Sequence, residues 1–260
     1  MRYELMFPEQ IRKAIDGNWP VVLSLGVLEY HAEHCCVGVD TLLVARAVEE
    51  LEKEMDMVVL PPFYYGAASF AVDSPERKGT IHVKSEVLSL FGKELFSSLL
   101  RIGFRNVHCL YYHQSENSIQ GMPTDLSFKL AAKQATFEFL EKQHGEGWWG
   151  REESSDYYEK HHGKGENPFN WIQIYPFKSP CLQNVWKDDH AGLTETSLMM
   201  AFCPEGVDMA KERKLWYAKS ADGANIEYGM KIKADIMREL RKALASKESL
   251  DEILKLKVDL

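Results

Sequence analysis

The sequence has few cysteines and no spacing that would pair them. Five are present, an odd number without a Cys-x-x-Cys motif, at positions 35, 36, 109, 181 and 203. This pattern argues against a disulfide framework and against a thiolate zinc site. Cys109 lies in an apolar segment and is expected in the core. Cys35 and Cys36 are expected to pack in a loop, because a catalytic thiol needs a positioned base and a lowered pKa.

The sequence also lacks an apolar run of membrane-spanning length, and residues 1–10 lack the regions of a signal peptide. We therefore expect a cytoplasmic protein without a membrane partner. Acidic residues outnumber basic ones by 39 to 31, which gives a formal net charge of -8, and no basic stripe is present. Because phosphate binding needs clustered Lys and Arg, we expect no nucleic-acid partner.

What is present is an alternation of apolar strand-like runs and long helical patterns. Strands are predicted at residues 21–25, 57–60, 107–112 and 171–175, and helices at residues 8–18, 41–55, 83–102, 125–143, 192–202 and 225–246, before a short amphipathic segment at 251–260. This order predicts an α/β fold with three α/β/α layers and a mostly parallel sheet.

Residues 1–260 show no internal repeat and no flexible linker, so we expect a single domain of ordinary size. Residues 145–168 form the longest stretch without clear periodicity and contain five glycines and the pair Trp148-Trp149. A stretch of this length in a compact domain is usually functional or disordered. We expect it to be a lid or an insertion loop.

Carboxylates and imidazoles cluster after the first predicted strand. Glu29 and His31 are two residues apart, so they lie on the same side if the chain stays extended. Asp40 stands directly before the helix predicted from residue 41, where it either caps the helix or supplies a metal ligand. The mouth of a strand-to-helix crossover is where α/β sheets bind ligands.

Two further clusters repeat this combination. His113 and Glu116 follow the strand predicted at residues 107–112, and His190 and Glu195 surround the start of the helix predicted at 192–202. Three clusters at strand ends or helix starts are hard to explain as solvated surface. Mixed carboxylate and imidazole groups suit Zn or Mn and do not choose between them.

The order of these motifs is similar to a known family. Gly-x-x-Glu-x-His-x-x-His, then Gly-x-Asp, then a His-x-x-x-Asn-like loop, then His-Ala-Gly-x-x-Glu-Thr-Ser, resembles the creatininase (creatinine amidohydrolase) family over residues 20–209. The linking pieces at residues 78–81 and 102–106 resemble it as well. The last motif, which starts at His190, is the most specific one.

The resemblance implies a centre of two divalent ions, Zn and/or Mn. Glu29, His31, Asp40 and His113 match its ligand positions, with Asp40 as the bridge. The loop after His113 departs from the family pattern, because Glu116 falls three residues after the histidine instead of two. Either Glu116 is still the last ligand of the second ion, or it forms a local hydrogen bond and the second ion uses Glu195.

The resemblance also implies which residues take part in acid/base catalysis. His190 matches the catalytic histidine, which suits proton transfer near pH 7. Glu195 matches a functional glutamate that orients His190 or holds a metal, and its structural alternative is the favourable place of an acid near a helix amino terminus.

For substrate binding we single out Trp186, Trp148, Trp149, Asn117 and Asp189. Trp186 matches a tryptophan that faces substrate in creatininases, and an indole suits stacking on a flat ring. Trp148 and Trp149 could close over the site. The alternative for all three tryptophans is packing of a large apolar ring. Asp189, with Asp188, is either a partner of His190 or a cap residue.

Together these features predict a metal-dependent amidohydrolase that cleaves a non-peptide C–N bond in a small cyclic amide such as creatinine, through a metal-bridging hydroxide. One alternative is deformylation of a formamido-pyrimidine, whose phosphate should call for a basic pocket. Another is a catalytically silent metal-binding scaffold subunit, which the shifted Glu116 and Ala32, where the family normally has Gly, keep open. The resemblance implies a homo-oligomer, a hexamer or another ring.

Overall fold

Four parallel strands form the sheet at the centre of the fold. The computed structural model describes residues 1–113, 120–157 and 167–245. The strands are β1 (Val21–Leu25), β2 (Val58–Val59), β3 (Val107–Tyr111) and β4 (Ile172–Pro176), in the spatial order β2-β1-β3-β4. Each neighbouring pair runs parallel, with Leu25 of β1 opposite Tyr111 of β3. The parallel sheet predicted from the sequence is therefore confirmed.

Helices cover both faces of this sheet because its strands are buried on both sides. One face packs against α1 (Pro8–Asp16), α3 (Ser85–Ile102) and α4 (Pro123–His144). The other face packs against α2 (Val39–Leu51), α5 (Pro180–Val185), α6 (Leu193–Phe202) and α7 (Ile226–Ala245). Alternate residues of β1 enter the two cores, with Leu23 on one side and Val22 on the other. These are the three predicted layers.

The order of the strands creates a switch point at one end of the sheet. The chain leaves β1, passes through α2 and reaches β2 on one side, whereas β3 pairs with the opposite side of β1. The crossovers α2 and α3 lie on opposite faces of the sheet. A crevice consequently opens beyond the carboxyl ends of β1 and β3, which is where ligands bind in open α/β sheets.

Helices α2 and α4 each begin two residues earlier than predicted. Helix α2 begins at Val39 after Gly38, so Asp40 is its second residue and the cap alternative is wrong. The side chain of Asp40 turns toward imidazoles instead of toward the helix amides. Helix α4 begins at Pro123 because proline fits a first helical turn and Asp125 accepts a hydrogen bond from the amide of Met122.

Within the three described ranges, no helix is both long and apolar enough to cross a membrane. The amphipathic segment predicted at residues 251–260 lies outside those ranges, and so does the middle of the stretch predicted as a lid.

Close packing of α6 on α7 depends on Gly229. A Cβ at this position would overlap the carbonyl oxygen of Ser197, and backbone atoms of a packed helix cannot move away cheaply. We expect Gly229→Ala to lower the free energy of unfolding by about 1–3 kcal/mol, although alanine has the higher helix propensity. Urea denaturation measures the change. Gly150→Ala is the matched control, since a Cβ there meets no atom within 4 Å, and equal losses in both variants would contradict this account.

Candidate metal centre

Four parts of the chain bring the predicted residues together at the switch point. Glu29 and His31 lie in the loop after β1, Asp40 lies in the first turn of α2, and His113 follows β3. Glu195 lies in the first turn of α6. All five side chains are buried.

The loop after β1 is shaped by close contacts and local strain. Gly26 approaches α2 so closely that a Cβ would collide with the backbone of Thr41. The amide of Tyr30 donates a hydrogen bond to Thr80 Oγ1 at 2.9 Å, and Leu28 forms a bridge with Ile81. Ala32 has a φ of 57°, a left-handed conformation that is costly for alanine. The turn after His31 is therefore held by its surroundings and not by local preference.

The distances show one connected cluster. His31 Nε2 lies 3.6 Å from Asp40 Oδ2 and 3.4 Å from Glu195 Oε2. His113 Nδ1 lies 3.5 Å from Glu29 Oε2 and 3.7 Å from the same oxygen of Asp40. Asp40 thus stands between the two imidazoles.

Three overlapping sets of three possible ligand groups lie in the described part of this cluster, and two of them contain Asp40. These two are Glu29, Asp40 and His113, and His31, Asp40 and Glu195, whereas the third joins Glu29 and His31 with His190; the ligand atoms of each set lie within 4.8 Å of one another. Mixed carboxylate and imidazole sets of this kind suit Zn or Mn.

The hydrogen bonds of the cluster agree with a metal site. His31 Nδ1 is 2.9 Å from the carbonyl oxygen of Glu29, which can only accept, so Nδ1 carries the proton and Nε2 keeps its lone pair. Metal-binding histidines typically hold this second hydrogen bond. His31 Nε2 and Asp40 Oδ2 are buried without a hydrogen-bond partner in the described residues. Because buried polar atoms are normally satisfied, a divalent cation between them would satisfy both atoms.

Burial and close charges shift the pKa values of the cluster. Burial raises the pKa of Glu195 to about 8, Asp40 adds to the rise, and His190 opposes it. Burial also disfavours the charged forms of Asp40 and His113, but nearby groups of opposite charge outweigh it. Asp40, with Glu29 and Glu195, raises the pKa of His113 to about 9, and His31, followed by His113, holds the pKa of Asp40 below its usual range. The carboxylates thus attract positive charge to this site.

His190 lies on the open side of the cluster. Its Nε2 is 3.0 Å from the carbonyl oxygen of Tyr30, and its Nδ1 is 3.9 Å from Glu29 Oε2. The ring stands 4.3 Å from the ring of His31, and 27% of the side chain is exposed. Burial, followed by the charge of His31, lowers the pKa of His190. A partly exposed imidazole beside a buried cluster of possible ligands is well placed to meet a substrate.

The start of α6 fixes His190 and Glu195 together. The two carboxylate oxygens of Asp189 accept hydrogen bonds from the amides of Thr194 and Glu195, at 2.8 Å and 3.0 Å. Glu195 Oε2 accepts a hydrogen bond from the amide of Ala191 at 2.6 Å, and Ala191 has a left-handed φ of 50°. Of the two alternatives for Asp189, the structure supports the cap, and substrate contact stays a prediction.

Comparison with known proteins agrees with this geometry. A family model described as creatinine amidohydrolase matches residues 4–246, nearly the whole chain. The chain belongs to the creatininase family. The resemblance noted in the sequence motifs is thereby confirmed.

Relatives within the creatininase family are distant in sequence. A creatinine amidohydrolase from Pseudomonas putida is 25% identical over 212 residues, which cover 79% of this chain and 73% of that protein. A solved structure of creatininase with Mn aligns with a TM-score of 0.67 and 18% identity, covering 94% of this chain and 96% of that one. A mutant creatininase of Zn-Zn type aligns with a TM-score of 0.65 and 17% identity over the same shares. The two structures show that the fold is shared.

Other predicted residues of this creatininase-family chain have different outcomes. The indole nitrogen of Trp186 donates a hydrogen bond to Asp235 at 2.9 Å, and its ring packs edge-on against Tyr228, so the indole contacts α7. Trp148 and Trp149 contact Tyr157. Substrate contact and lid closure stay predictions for these tryptophans. Glu116 and Asn117 lie outside the described residues.

The cysteines near the site behave as expected from the sequence. Cys35 is buried, and burial raises the pKa of its thiol to about 12, whereas a nucleophilic cysteine needs a lowered pKa. Cys35 and Cys36 are both free thiols and pack beside α6 and the residues that follow it.

Sequence reasoning missed two residues beside the family motifs. Lys178 is completely buried just after β4, where a lysine in a short polar segment gives no sign of burial. Tyr217 packs its ring against His190, although it follows the histidine by 27 positions and belongs to no motif. In both cases the role of the residue follows from a contact in the folded protein, which no sequence pattern indicates.

Lys178 holds the segment that leads to His190. Its ammonium group pairs with Asp188 and donates a hydrogen bond to the carbonyl oxygen of Trp186 at 2.8 Å. We expect Lys178→Met to lower the free energy of unfolding by about 3–5 kcal/mol, because it leaves a buried carboxylate without its counter-charge. Guanidinium denaturation measures this loss.

The neighbouring exposed Lys187 provides the control. Lys187→Met should change stability by about 0.5 kcal/mol or less. Replacing both partners, as Lys178→Met with Asp188→Leu, should recover most of the loss, since an apolar pair often substitutes for a buried ion pair. A stable Lys178→Met single variant would contradict the role of this ion pair.

Proposed function

We propose that this protein is a metal-dependent amidohydrolase that cleaves a non-peptide C–N bond in a small cyclic amide. The observation that carries the proposal is the pair of ligand sets that share Asp40 at the switch point of the sheet. Membership of the creatininase family supports it. Creatinine is the first candidate substrate because the curated relative is a creatinine amidohydrolase.

The cofactor of the proposed reaction is a pair of divalent ions, Zn and/or Mn, as in the related structures. Glu29 and His113 would hold one ion, His31 and Glu195 would hold the other, and Asp40 would contribute to both. When bound, such ions supply an activated water and polarise an amide carbonyl. We propose Glu195 as the ligand that completes the second ion site, because its Oε2 atom lies 3.4 Å from His31 Nε2.

His190 is the residue that moves protons in this proposal. Its Nε2 donates to the carbonyl of Tyr30, which leaves the lone pair on Nδ1. Nδ1 takes a proton from the attacking water and later delivers it to the departing nitrogen. The fixed tautomer keeps the same ring nitrogen directed at the reacting groups.

Deformylation of a formamido-pyrimidine is the second candidate. A phosphorylated substrate calls for basic groups near the site. Beside Tyr30, Lys78 pairs with the carboxylates of both Glu33 and Asp73. This local balance of charge favours an uncharged or cationic substrate over a phosphorylated one.

A silent scaffold subunit remains the alternative from another class. Ala32 keeps the left-handed turn after His31 despite its methyl group, so the departure from glycine leaves the ligand geometry in place. The partial exposure of His190 also favours catalysis, since a merely structural metal site is closed to solvent.

Metal content tests the two ligand sets. We expect about two ions per chain in the native protein and less than one in Asp40→Asn, because Asp40 serves both sets. Glu195→Gln should keep the first ion and lose the second. Mass spectrometry of the metals after gel filtration measures the ratio, with Glu33→Gln as an exposed control expected to keep both ions.

Glu116→Gln decides between the two open alternatives for the second ion. Loss of one ion in this variant, with both ions retained in Glu195→Gln, would show that Glu116 is the ligand and Glu195 is not.

The activity itself is tested with a panel of amides. Zinc-loaded and manganese-loaded protein is assayed against creatinine, formamido-pyrimidines and small lactams, with released amine or carboxylate as readout. We expect turnover of a cyclic amide, and His190→Ala should reduce kcat by about 10²–10⁴-fold at unchanged metal content. A native protein that holds its ions and hydrolyses nothing on the panel would favour the scaffold subunit instead.

The single domain over residues 1–260 and the homo-oligomer implied by the family also stay predictions. Light scattering on the purified protein measures the oligomer size.

A further inference from the structure

Residues 215–218 cover the two turns that present the histidines of the site. Ala32 and Ala191 follow His31 and His190 directly, and both have left-handed backbone conformations. The two alanines pack in one small cluster with Ala218 and with the partly buried Leu215 and Tyr217. This segment therefore forms one wall of the site, although it belongs to no sequence motif.

Tyr217 is the polar residue of this wall. Its ring lies edge-on against His190, with centroids 5.1 Å apart and an angle of 65° between the planes. Its hydroxyl oxygen is buried and has no hydrogen-bond partner among the described residues. A buried hydroxyl without a partner loses its hydration and gains nothing in return. Such groups in folded proteins call for an explanation by function or by a missing ligand.

Of the polar groups near this hydroxyl, Tyr30, Lys78 and Asp73 are already engaged with each other or with Glu33, and Glu29 belongs to a ligand set of the cluster. Tyr30 donates a hydrogen bond to Glu33 at 2.7 Å and accepts one from Lys78 at 3.2 Å. Lys78 also pairs with Asp73 at 3.6 Å. The hydroxyl of Tyr217 stays protonated, because burial, the hydroxyl of Tyr30 and the charge of Asp73 together raise its pKa to about 12. It is therefore a hydrogen-bond donor without an acceptor.

We propose that Tyr217 is a substrate-binding residue, whose hydroxyl donates a hydrogen bond to an acceptor atom of a small amide bound against His190. The inference rests on the proposed function and adds to it the residue that recognises the non-reacting side of the ligand. The acceptor is a carbonyl oxygen or a ring nitrogen. A site built around such a donor rejects analogues that lack the acceptor, because the donor is then left unpaired.

A purely structural role for the Tyr217 hydroxyl predicts that the protein loses stability when the hydroxyl is removed. If the hydroxyl had a partner in the folded protein, its removal would weaken the fold. Tyr217→Phe keeps the ring that packs on His190 and deletes the unpartnered oxygen. Stability should therefore stay the same or rise, while ligand binding becomes weaker.

The test uses the full chain loaded with zinc, as native protein and as Tyr217→Phe. Metal content and thermal melting are measured first, and both should match the native protein, or the melting temperature should be higher. The affinity for acetohydroxamate, a small amide analogue that chelates divalent ions, is then measured by calorimetry. We expect the dissociation constant to rise by about 10-fold, as for loss of one buried hydrogen bond. For any amide that the native protein hydrolyses, kcat/KM should fall by about 10- to 100-fold.

Tyr65→Phe is the matched control, since Tyr65 is 53% exposed and belongs to neither ligand set. Equal acetohydroxamate affinity in native protein and Tyr217→Phe overturns the inference, and so does a native protein that fails to bind this probe. A marked loss of melting temperature in Tyr217→Phe also overturns it, because the hydroxyl then has a structural partner. If the native protein hydrolyses no amide on the panel, the proposed function fails, yet the ratio of the two affinities still decides the role of Tyr217.

Discussion

The burial of three carboxylates next to the imidazoles of His31 and His113 is the constraint on which the rest of this structure depends. The side chains of Glu29, Asp40 and Glu195 are buried, and Asp40 Oδ2 and His31 Nε2 have no hydrogen-bond partner among the described residues. Removing an ionised carboxylate from water is costly unless a positive charge replaces the solvent. The parallel sheet makes the arrangement possible, because the ends of β1 and β3 meet at the point where the order of strands reverses.

Backbone strain accompanies this concentration of charge. Ala32 and Ala191 both adopt conformations that side-chain-bearing residues rarely take, and each directly follows a histidine of the site. Such strain persists where the surroundings determine the conformation. Here the surroundings are the alanine cluster with Leu215 and Tyr217 on one side, and the hydrogen bond from Tyr30 to Thr80 on the other. The unfavourable torsions turn both imidazoles toward the same crevice.

The sequence was sufficient for the layers of the fold and for most of the cluster. The Val-rich run between Pro20 and Gly26 predicted β1. The pairs of acidic residues and histidines that follow such runs predicted which side chains form the cluster. Other features could not be predicted in this way. Lys178 acts through contacts that span the short helix α5, and Tyr217 acts through a contact with His190, 27 positions away, and no local pattern records either contact. Asp40 was placed one step outside its helix because Gly38, and not the acid, precedes the first turn.

The hydrogen bonds from Thr194 and Glu195 to Asp189 have a dynamic consequence. The same turn that starts α6 also holds Ala191 against Glu195, so fraying of the helix at this end would release the carboxylate of Glu195 and the neighbouring imidazole. Local opening of the crevice and melting of one helical turn are thus a single event. The rates at which the backbone amide protons of Thr194 and Glu195 exchange with solvent would then report how often the cluster opens.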